Sequence, residues 1–279
     1  MNTIKELLHR RPDLSTFIAH FTRDQGEVKA KDNLINILKH GRLQARNVYG
    51  MASDLVAEVP EIANTQSVVC FTETPLEHAW MMNRSIQDRR IELTGYGLAF
   101  TKPFARKHSV NPVWYLDITH GSAEHWRDWL TVPINTLIEQ AKDDAWDFEQ
   151  DEGDVERLAE APILRLTPFI EQMGPTKEGK KEFWWEREWR CVGDLVFNPE
   201  DVVVVFAPEQ EHDAVKKALN AHALSLDAKA KQGSKPAENP KARELRRLAE
   251  SRIVDASWGL EHMIGTLAGV ADLGPFPEQ

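Results

Sequence analysis

The sequence predicts an α+β fold in which a mixed β-sheet core carries peripheral helices and a helical, acidic insertion. Strand-like runs occur both early and late in the chain, with helical patterns between them. These strands and helices do not alternate regularly, as they would in a doubly wound sheet. The 279 residues, 42% of them hydrophobic, are enough to fill a sizeable core.

The first predicted strand lies in the run "TFIAHFTR". Phe17, Ala19 and Phe21 share one face, and Ile18, His20 and Thr22 share the other, which is partly polar. A helix follows, for which Asp32 is the expected N-cap and Gly41 the C-terminal stop. A short amphipathic helix is also expected ahead of this strand, over residues 3–10. The chain therefore opens with a strand, a loop and a helix.

A second strand is predicted for the β-branched and aromatic run "SVVCFT". In the "TPLE" that follows, Thr74 is the expected N-cap of a helix and Pro75 its first residue. Glu77, three residues after the cap, completes a capping box. This pattern gives no structural role to Thr72, which ends the strand.

Later runs predict further strands and one long insertion. The strand candidates are "YGLAFT" (96–101), "NPVWYLDI" (111–118), "PILRLTPFI" (162–170), "FWWEREWRCVG" (183–193) and "DVVVVFAP" (201–208). The predicted main domain covers residues 1–226, with the helical acidic insertion at about 122–160. The composition predicts a linker at 227–241 and a basic helix with a C-terminal tail at 242–279.

Charge is unevenly distributed along the chain, whose formal net charge is −10. Residues 139–160 contain 10 acids and 2 bases, whereas residues 229–252 contain 8 bases and 3 acids. Acidic and basic helices of this kind are usually solvated surfaces. Alternatively, the acidic stretch docks a basic partner, or the basic tail approaches a phosphate backbone.

Composition and motifs exclude several classes. No run of eighteen apolar residues occurs, so we expect a cytoplasmic protein without a membrane partner. Cys70 and Cys191 are expected to be buried, unpaired thiols. The histidines lack the spacing of a metal site, and the chain has neither a P-loop nor a G-x-S-x-G motif.

The strongest candidate for chemistry is "WWEREWR". On a strand, Glu186 and Glu188 would share one face, and paired carboxylates of this kind serve glycosidic-bond chemistry. In the alternative interpretation, Arg190 or Arg187 neutralises these glutamates on an exposed strand. His20 beside Thr22 likewise has two interpretations: a hydrogen-bonded structural residue, or a group that holds a ribose hydroxyl.

The opening "FIAHFTRDQGEVKAKDNLINILKHGRLQAR" resembles that of the DNA-targeting ADP-ribosyltransferase toxins. The later pieces "VCFTETPL", "YGLAFTK", "NPVWYLD" and "WEREWR" resemble the AbiGi abortive-infection, phage-resistance family. Together the similar pieces extend from about residue 17 to residue 207. The resemblance implies an ADP-ribosyltransferase-like split mixed sheet for the main domain.

The resemblance also implies a role for individual residues. Glu188 would bind the nicotinamide-ribose hydroxyl of NAD, and Glu186 would orient the acceptor. His20 and Thr22 would lie at the adenosine ribose, and Thr72 would support the nicotinamide pocket. The remaining candidates are aromatic residues for the nicotinamide ring, Phe71 or Tyr96, and basic residues for the pyrophosphate, Arg42, Arg46 and Lys102.

The implied activity is NAD-dependent mono-ADP-ribosyl transfer to a nucleic acid, or to a protein, by a toxin or antiphage effector. NAD would be the substrate, without a metal. An antitoxin or chaperone is the implied protein partner. The same resemblance implies an alternative function, in which a non-catalytic antitoxin or regulator keeps the fold and acts by binding a partner.

Overall fold

The computed structural model describes residues 15–85, 91–119, 126–147, 152–176, 179–230 and 239–267. The chain divides into two compact units, each built from separate stretches of sequence. Unit 1 comprises residues 1–43, 71–108 and 196–279, and unit 2 comprises residues 44–70 and 109–195. The helix expected at residues 3–10 lies outside the described residues.

The strands are numbered in chain order. They are β1 (Phe17–Phe21), β2 (Arg42–Leu43), β3 (Asn47–Val48), β4 (Ser67–Thr72), β5 (Gly97–Thr101), β6 (Asn111–Pro112), β7 (Trp114–Asp117), β8 (Trp146–Asp147), β9 (Glu152–Gly153), β10 (Ile170–Thr176), β11 (Gly179–Lys181), β12 (Glu188–Val192), β13 (Leu195–Val196), β14 (Val202–Phe206) and β15 (Ile253–Val254).

The α-helices are numbered in the same way, and single 3₁₀ turns are named by their residues. The helices are α1 (Ala30–His40), α2 (Ser53–Glu58), α3 (Ala63–Gln66), α4 (Lys102–Lys107), α5 (Trp126–Ala145), α6 (Val155–Glu160), α7 (Pro162–Leu166), α8 (His212–Ala230), α9 (Pro240–Ser251) and α10 (Leu260–Leu267).

Unit 1 contains a mixed sheet with the strand order β15-β14-β5-β1-β4. β14 and β15 run parallel, whereas β14–β5, β5–β1 and β1–β4 are antiparallel. Phe100 and Phe206 are fully buried, as are Ile18 and Val204. Mixed strands with helices around them confirm the predicted α+β class.

Helices α1, α8 and α9 pack together in unit 1. Each buries apolar residues three or four positions apart, as an amphipathic helix does against a core. Leu34 and Leu38 are the buried pair of α1, and Leu245 and Leu248 are buried on α9. The Asn239 side chain caps α9 by accepting a hydrogen bond from the Lys241 amide.

The boundaries of α1 confirm one predicted cap and correct the other. Gly41 ends the helix in the left-handed conformation, with φ of 63°. The helix begins at Ala30, so Asp32 lies in its first turn and does not cap it. Asp24 performs that task instead, because its carboxylate accepts a 2.9 Å hydrogen bond from the Ala30 amide.

Unit 2 contains β3 paired antiparallel with β4, and β12 paired antiparallel with β6. A second sheet has the order β11-β10-β7, in which β10 and β7 are parallel. The predicted helical, acidic region contains α5 and α6, with the β8–β9 hairpin between them. Ile138 and Ala145 of α5 and Leu158 of α6 pack into one apolar cluster with α2 and α7.

Two predictions about later segments were wrong. Residues 162–169 form α7 and a 3₁₀ turn, and β10 begins only at Ile170. Pro162 is suited to the first turn of a helix and Pro168 has no amide hydrogen for a ladder, so this stretch does not form a strand. The expected linker starts too early, since α8 continues to Ala230; residues 231–238 and 268–279 lie outside the described residues.

Substitution of Gly41 by alanine is expected to lower the free energy of unfolding by about 3 kcal/mol. A Cβ at this position would lie 2.4 Å from the Phe197 carbonyl oxygen, and the residue would also keep a positive φ. Gly26→Ala is the matched control, because Gly26 has a φ of 57° with nothing within 4 Å of the new Cβ. We expect the control to lose about 1 kcal/mol in urea denaturation. Equal losses in the two variants would exclude the backbone clash as the cause.

Candidate functional site

Glu188, the predicted catalytic residue, begins β12 in unit 2 and forms an ion pair with Arg190 on the same strand. Arg190 Nε donates to Glu188 Oε1 and Nη2 donates to Oε2, each at 2.9 Å. Residues two apart on a strand share a face, so the two side chains reach each other without distorting the backbone. This two-point contact is the strongest arrangement of an arginine and a carboxylate.

Arg190 makes further contacts that hold it in place. Its Nη2 also donates to Glu171 Oε2 at 2.9 Å, and Nη1 donates to the Pro168 carbonyl at 2.7 Å. The guanidinium lies 5.2 Å from the ring centroid of Tyr49. The arginine side chain is only 3% exposed. A buried cation is therefore satisfied by carboxylates, a carbonyl and an aromatic face.

Glu188 also contacts two weak acids. Tyr115 Oη donates to Glu188 Oε2 at 3.3 Å, and the Cys70 thiol forms a hydrogen bond with the same carboxylate. Burial raises the pKa of Tyr115 and that of Cys70, and the negative charge of Glu188 raises both further. Both groups are consequently neutral donors at physiological pH.

The charges of this cluster nearly balance. Burial alone would lower the pKa of Arg190, but the charge of Glu188 and its hydrogen bonds raise it above the usual value. Lys181 Nζ lies 3.6 Å from Glu171 Oε1 and compensates the second carboxylate. The Arg190–Glu188 pair has the neutralising arginine of the alternative interpretation, but the pair is buried and does not lie on an exposed strand.

Glu186 does not lie on β12, so the predicted alternation along "WWEREWR" was wrong. Residues Trp184–Glu186 form a 3₁₀ turn, and Arg187 has a φ of 49°. A left-handed residue cannot continue a strand, which therefore starts only at Glu188. The charge of Glu186 nevertheless contributes to the raised pKa of Tyr115 and of Cys70, which places it near the same cluster.

Arg46, the remaining predicted ligand in unit 2, is exposed. Its guanidinium donates to the side-chain oxygen of Gln44, two residues earlier. Its role at a pyrophosphate stays a prediction.

The other predicted ligands lie in unit 1. The His20 ring on β1 and the Phe71 ring of β4 are 5.8 Å apart in an edge-on arrangement. The Thr22 hydroxyl interacts with the carbonyl oxygens of Ala30 at 3.1 Å and Tyr96 at 3.2 Å. Thr22 thereby connects the end of β1 to neighbouring segments, which is a structural role.

Tyr96 is half-buried and lies near charged residues of unit 1. Burial raises the pKa of its hydroxyl, and the charge of Glu211 raises it further. Lys31 has the opposite effect on this pKa and pairs with Glu211 at 3.0 Å. Tyr96 therefore remains a neutral hydroxyl near the start of β5.

Thr72 has a structural role after all, and the predicted cap at Thr74 was wrong. The Thr72 hydroxyl accepts a 3.1 Å hydrogen bond from the Thr74 amide and lies 2.8 Å from the Thr74 hydroxyl. The 3₁₀ helix that follows begins at Leu76 without a side-chain cap. Threonine at the first position of such a turn replaces a backbone hydrogen bond.

The sequence interpretation missed a buried ion pair in unit 1. Glu73, directly after β4, accepts a 2.7 Å hydrogen bond from Lys102, directly after β5. Their side chains are 9% and 14% exposed, respectively. β4 and β5 are the two neighbours of β1, a relationship that no local motif reveals. Lys102, a predicted pyrophosphate ligand, thus already has a carboxylate partner.

The part of the chain that the structure describes contains neither a metal-binding group nor a membrane-spanning helix. Within the described ranges, no three or more His, Cys, Asp or Glu side chains are grouped so as to hold a metal ion. In the same part of the chain, none of the helices has both the length and the apolar character needed to cross a membrane.

The fold and the candidate site define an α+β protein whose two units each contain a buried carboxylate–cation pair. Residues 53–230 match the sequence model of a family described as "Putative abortive phage resistance protein AbiGi, antitoxin". This match covers more than half of the chain, which therefore belongs to that family. Searches of curated proteins and of solved structures gave no significant match.

Replacement of Arg190 by methionine is expected to destabilise the protein by about 3–5 kcal/mol, because Glu188 would lose its buried cation. Arg165→Met is a control in the same unit, since Arg165 is exposed on α7. Urea denaturation should show a change of about 0.5 kcal/mol at most for the control. A loss below about 1 kcal/mol in Arg190→Met would contradict the described ion pair.

The raised pKa of Tyr115 predicts alkaline destabilisation. The unfolded tyrosine ionises near pH 10 and the folded one at a higher pH, so stability is retained below pH 10 and falls above it. The slope from one such group is up to about 1.4 kcal/mol per pH unit. Tyr115→Phe should therefore flatten the fall between about pH 10 and 11, as measured by urea denaturation. An unchanged slope in the variant would show that Tyr115 ionises normally.

Proposed function

We propose that the chain is a non-catalytic antitoxin of an abortive-infection system and acts by binding a protein toxin. The proposal is supported by membership of the family and by the engagement of Glu188. Both oxygens of this carboxylate accept hydrogen bonds from Arg190, and Oε2 is also contacted by Tyr115. In this proposal Glu188, the strongest catalytic candidate in the sequence, is one partner of a structural ion pair.

The electrostatics of glycosidic-bond cleavage explain why the Arg190–Glu188 ion pair supports a non-catalytic function. Loss of nicotinamide develops positive charge at the ribose, which a fixed carboxylate stabilises only if it faces that centre. Glu188 instead faces a guanidinium that is 3% exposed. A ribose at Glu188 would meet a carboxylate whose negative charge is already offset by the buried guanidinium of Arg190.

NAD-dependent ADP-ribosyl transfer remains the second candidate function. One observation favours it: Glu186 and Glu188 both act on the pKa of Tyr115 and Cys70, so the two carboxylates lie near the same groups. In this proposal NAD is the substrate, and a nucleic acid or a protein accepts the ADP-ribose.

Neutralisation of a toxin tests the antitoxin proposal. The probe is the tagged product of the gene adjacent to that of this chain, expressed from an inducible promoter in bacteria. If this product arrests growth, co-expression of the chain should restore colony counts, and the two proteins should elute together in size-exclusion chromatography. Growth arrest that persists despite folded, abundant chain would refute the proposal.

Labelled NAD separates the two candidate functions. The antitoxin proposal predicts no release of nicotinamide by the purified chain and no label on DNA, RNA or protein mixtures. Glu188→Gln should still neutralise the toxin, because an amide keeps the side-chain shape and Arg190 retains Glu171. Label that appears with the unaltered chain and disappears with Glu188→Gln would instead establish the transferase.

A further inference from the structure

Helix α5 of unit 2 has two apolar faces. The inner one, with Ile134 and Ile138, packs into the apolar cluster of the unit. The other consists of Trp129, Val132, Pro133 and Leu137, which are all exposed, and is called the outer face here. The exposed fractions are 77% for Trp129, 50% for Val132 and 48% for Leu137.

The spacing of the outer face places its members side by side. Positions 129, 132, 133 and 137 are three, four and eight residues apart, which aligns them along one stripe of a helix. Large apolar side chains grouped on a surface mark binding sites more often than isolated ones do. Tryptophan in particular is enriched among the residues that dominate the free energy of protein association.

Pro133 adds a polar feature to this stripe. It lies inside the helix and has no amide hydrogen, so the carbonyl of Trp129 lacks the usual helical donor four residues later.

The surroundings of the outer face are acidic. Glu139, Asp143 and Asp144 are exposed in the last turns of α5, and Glu156 and Glu160 are exposed on α6. Unit 2 as a whole contains 22 acidic and 10 basic residues, a net charge of −12, whereas the net charge of unit 1 is +2. A basic surface is therefore the electrostatic complement of unit 2.

We propose that the outer face of α5, with the acidic turn that follows it, is the surface through which the chain binds a basic toxin. This inference rests on the proposed antitoxin function and adds the location and the chemistry of the contact. The partner would place apolar side chains against Trp129 and Leu137, and lysine or arginine side chains against Asp143 and Asp144.

A second copy of this chain fits the outer face of α5 less well than a basic toxin does. A dimer through this face would bring together two copies of unit 2, each with a net charge of −12. Like charges at an interface oppose association. The charge distribution thus favours a basic partner over self-association.

The test measures binding of the purified toxin, the same protein used for neutralisation, by titration calorimetry. Trp129→Ser/Leu137→Ser should weaken binding by about 30-fold or more, because it removes the central apolar anchors. Leu224→Ser is the control, since Leu224 is 64% exposed on α8 of unit 1. Circular dichroism should be unchanged in both variants, as all three altered side chains are exposed.

A separate variant tests the contribution of the acidic turn to toxin binding. Asp143→Lys/Asp144→Lys should weaken binding by about tenfold and reduce its dependence on salt between about 50 and 300 mM. Asp213→Lys, at an exposed acid of α8, is the control and should leave both quantities unchanged.

The outcomes separate this proposal from the antitoxin function. If the unaltered chain binds and the two outer-face variants bind equally well, the surface is wrong and the antitoxin function stands. If the unaltered chain neither binds nor neutralises the toxin, both fail. A dimer in sedimentation experiments that Trp129→Ser/Leu137→Ser abolishes would assign the outer face to a second copy and overturn the proposal.

Discussion

The buried guanidinium of Arg190 is the constraint on which unit 2 depends. Its acceptors come from separate segments: Glu188 from the same strand, Glu171 from β10 and the carbonyl of Pro168 from the preceding turn. Removing a cation from water costs several kcal/mol, which only this full set of partners offsets. The backbone around residues 168–171 is therefore tied to β12 through this one side chain.

Local chemistry explains which elements were predictable from sequence. The strand at β1 and the left-handed glycine at Gly41 depend on neighbours in the chain, and both predictions were confirmed. The expected difference between the two faces of β1 was not, since Ile18 and Thr22 on the second face are also buried. The prediction for "WWEREWR" failed at one residue, because alternation cannot reveal that Arg187 has a positive φ. A strand was also predicted at 162–170 from the apolar character of the segment. Pro162 and Pro168 instead favour the first turn of a helix, which is where both lie.

Side-chain partners distant in sequence were not predictable. Glu73 and Lys102 are 29 residues apart, and the Gln66 and Thr167 side chains, joined by a buried 2.8 Å hydrogen bond, are 101 apart. Such pairs become visible only when the strand order is known. The motif did contain the Arg190–Glu188 pair, since residues two apart on a strand must share a face. It could not indicate that the pair is buried, because burial depends on β10 and on the turn that precedes it.

Unit 2 consists of two stretches of sequence that the ribosome synthesises at different times. Residues 44–70 leave the ribosome well before their partners at 109–195, and the Gln66–Thr167 bond joins the two stretches. Because synthesis proceeds at roughly 5–20 residues per second, several seconds pass between the synthesis of β4 and that of its later neighbours. During that interval the apolar run of β4 lacks a strand partner at one edge, and unpaired edges favour aggregation. We therefore expect the amount of finished protein in a cell to depend on the rate of translation.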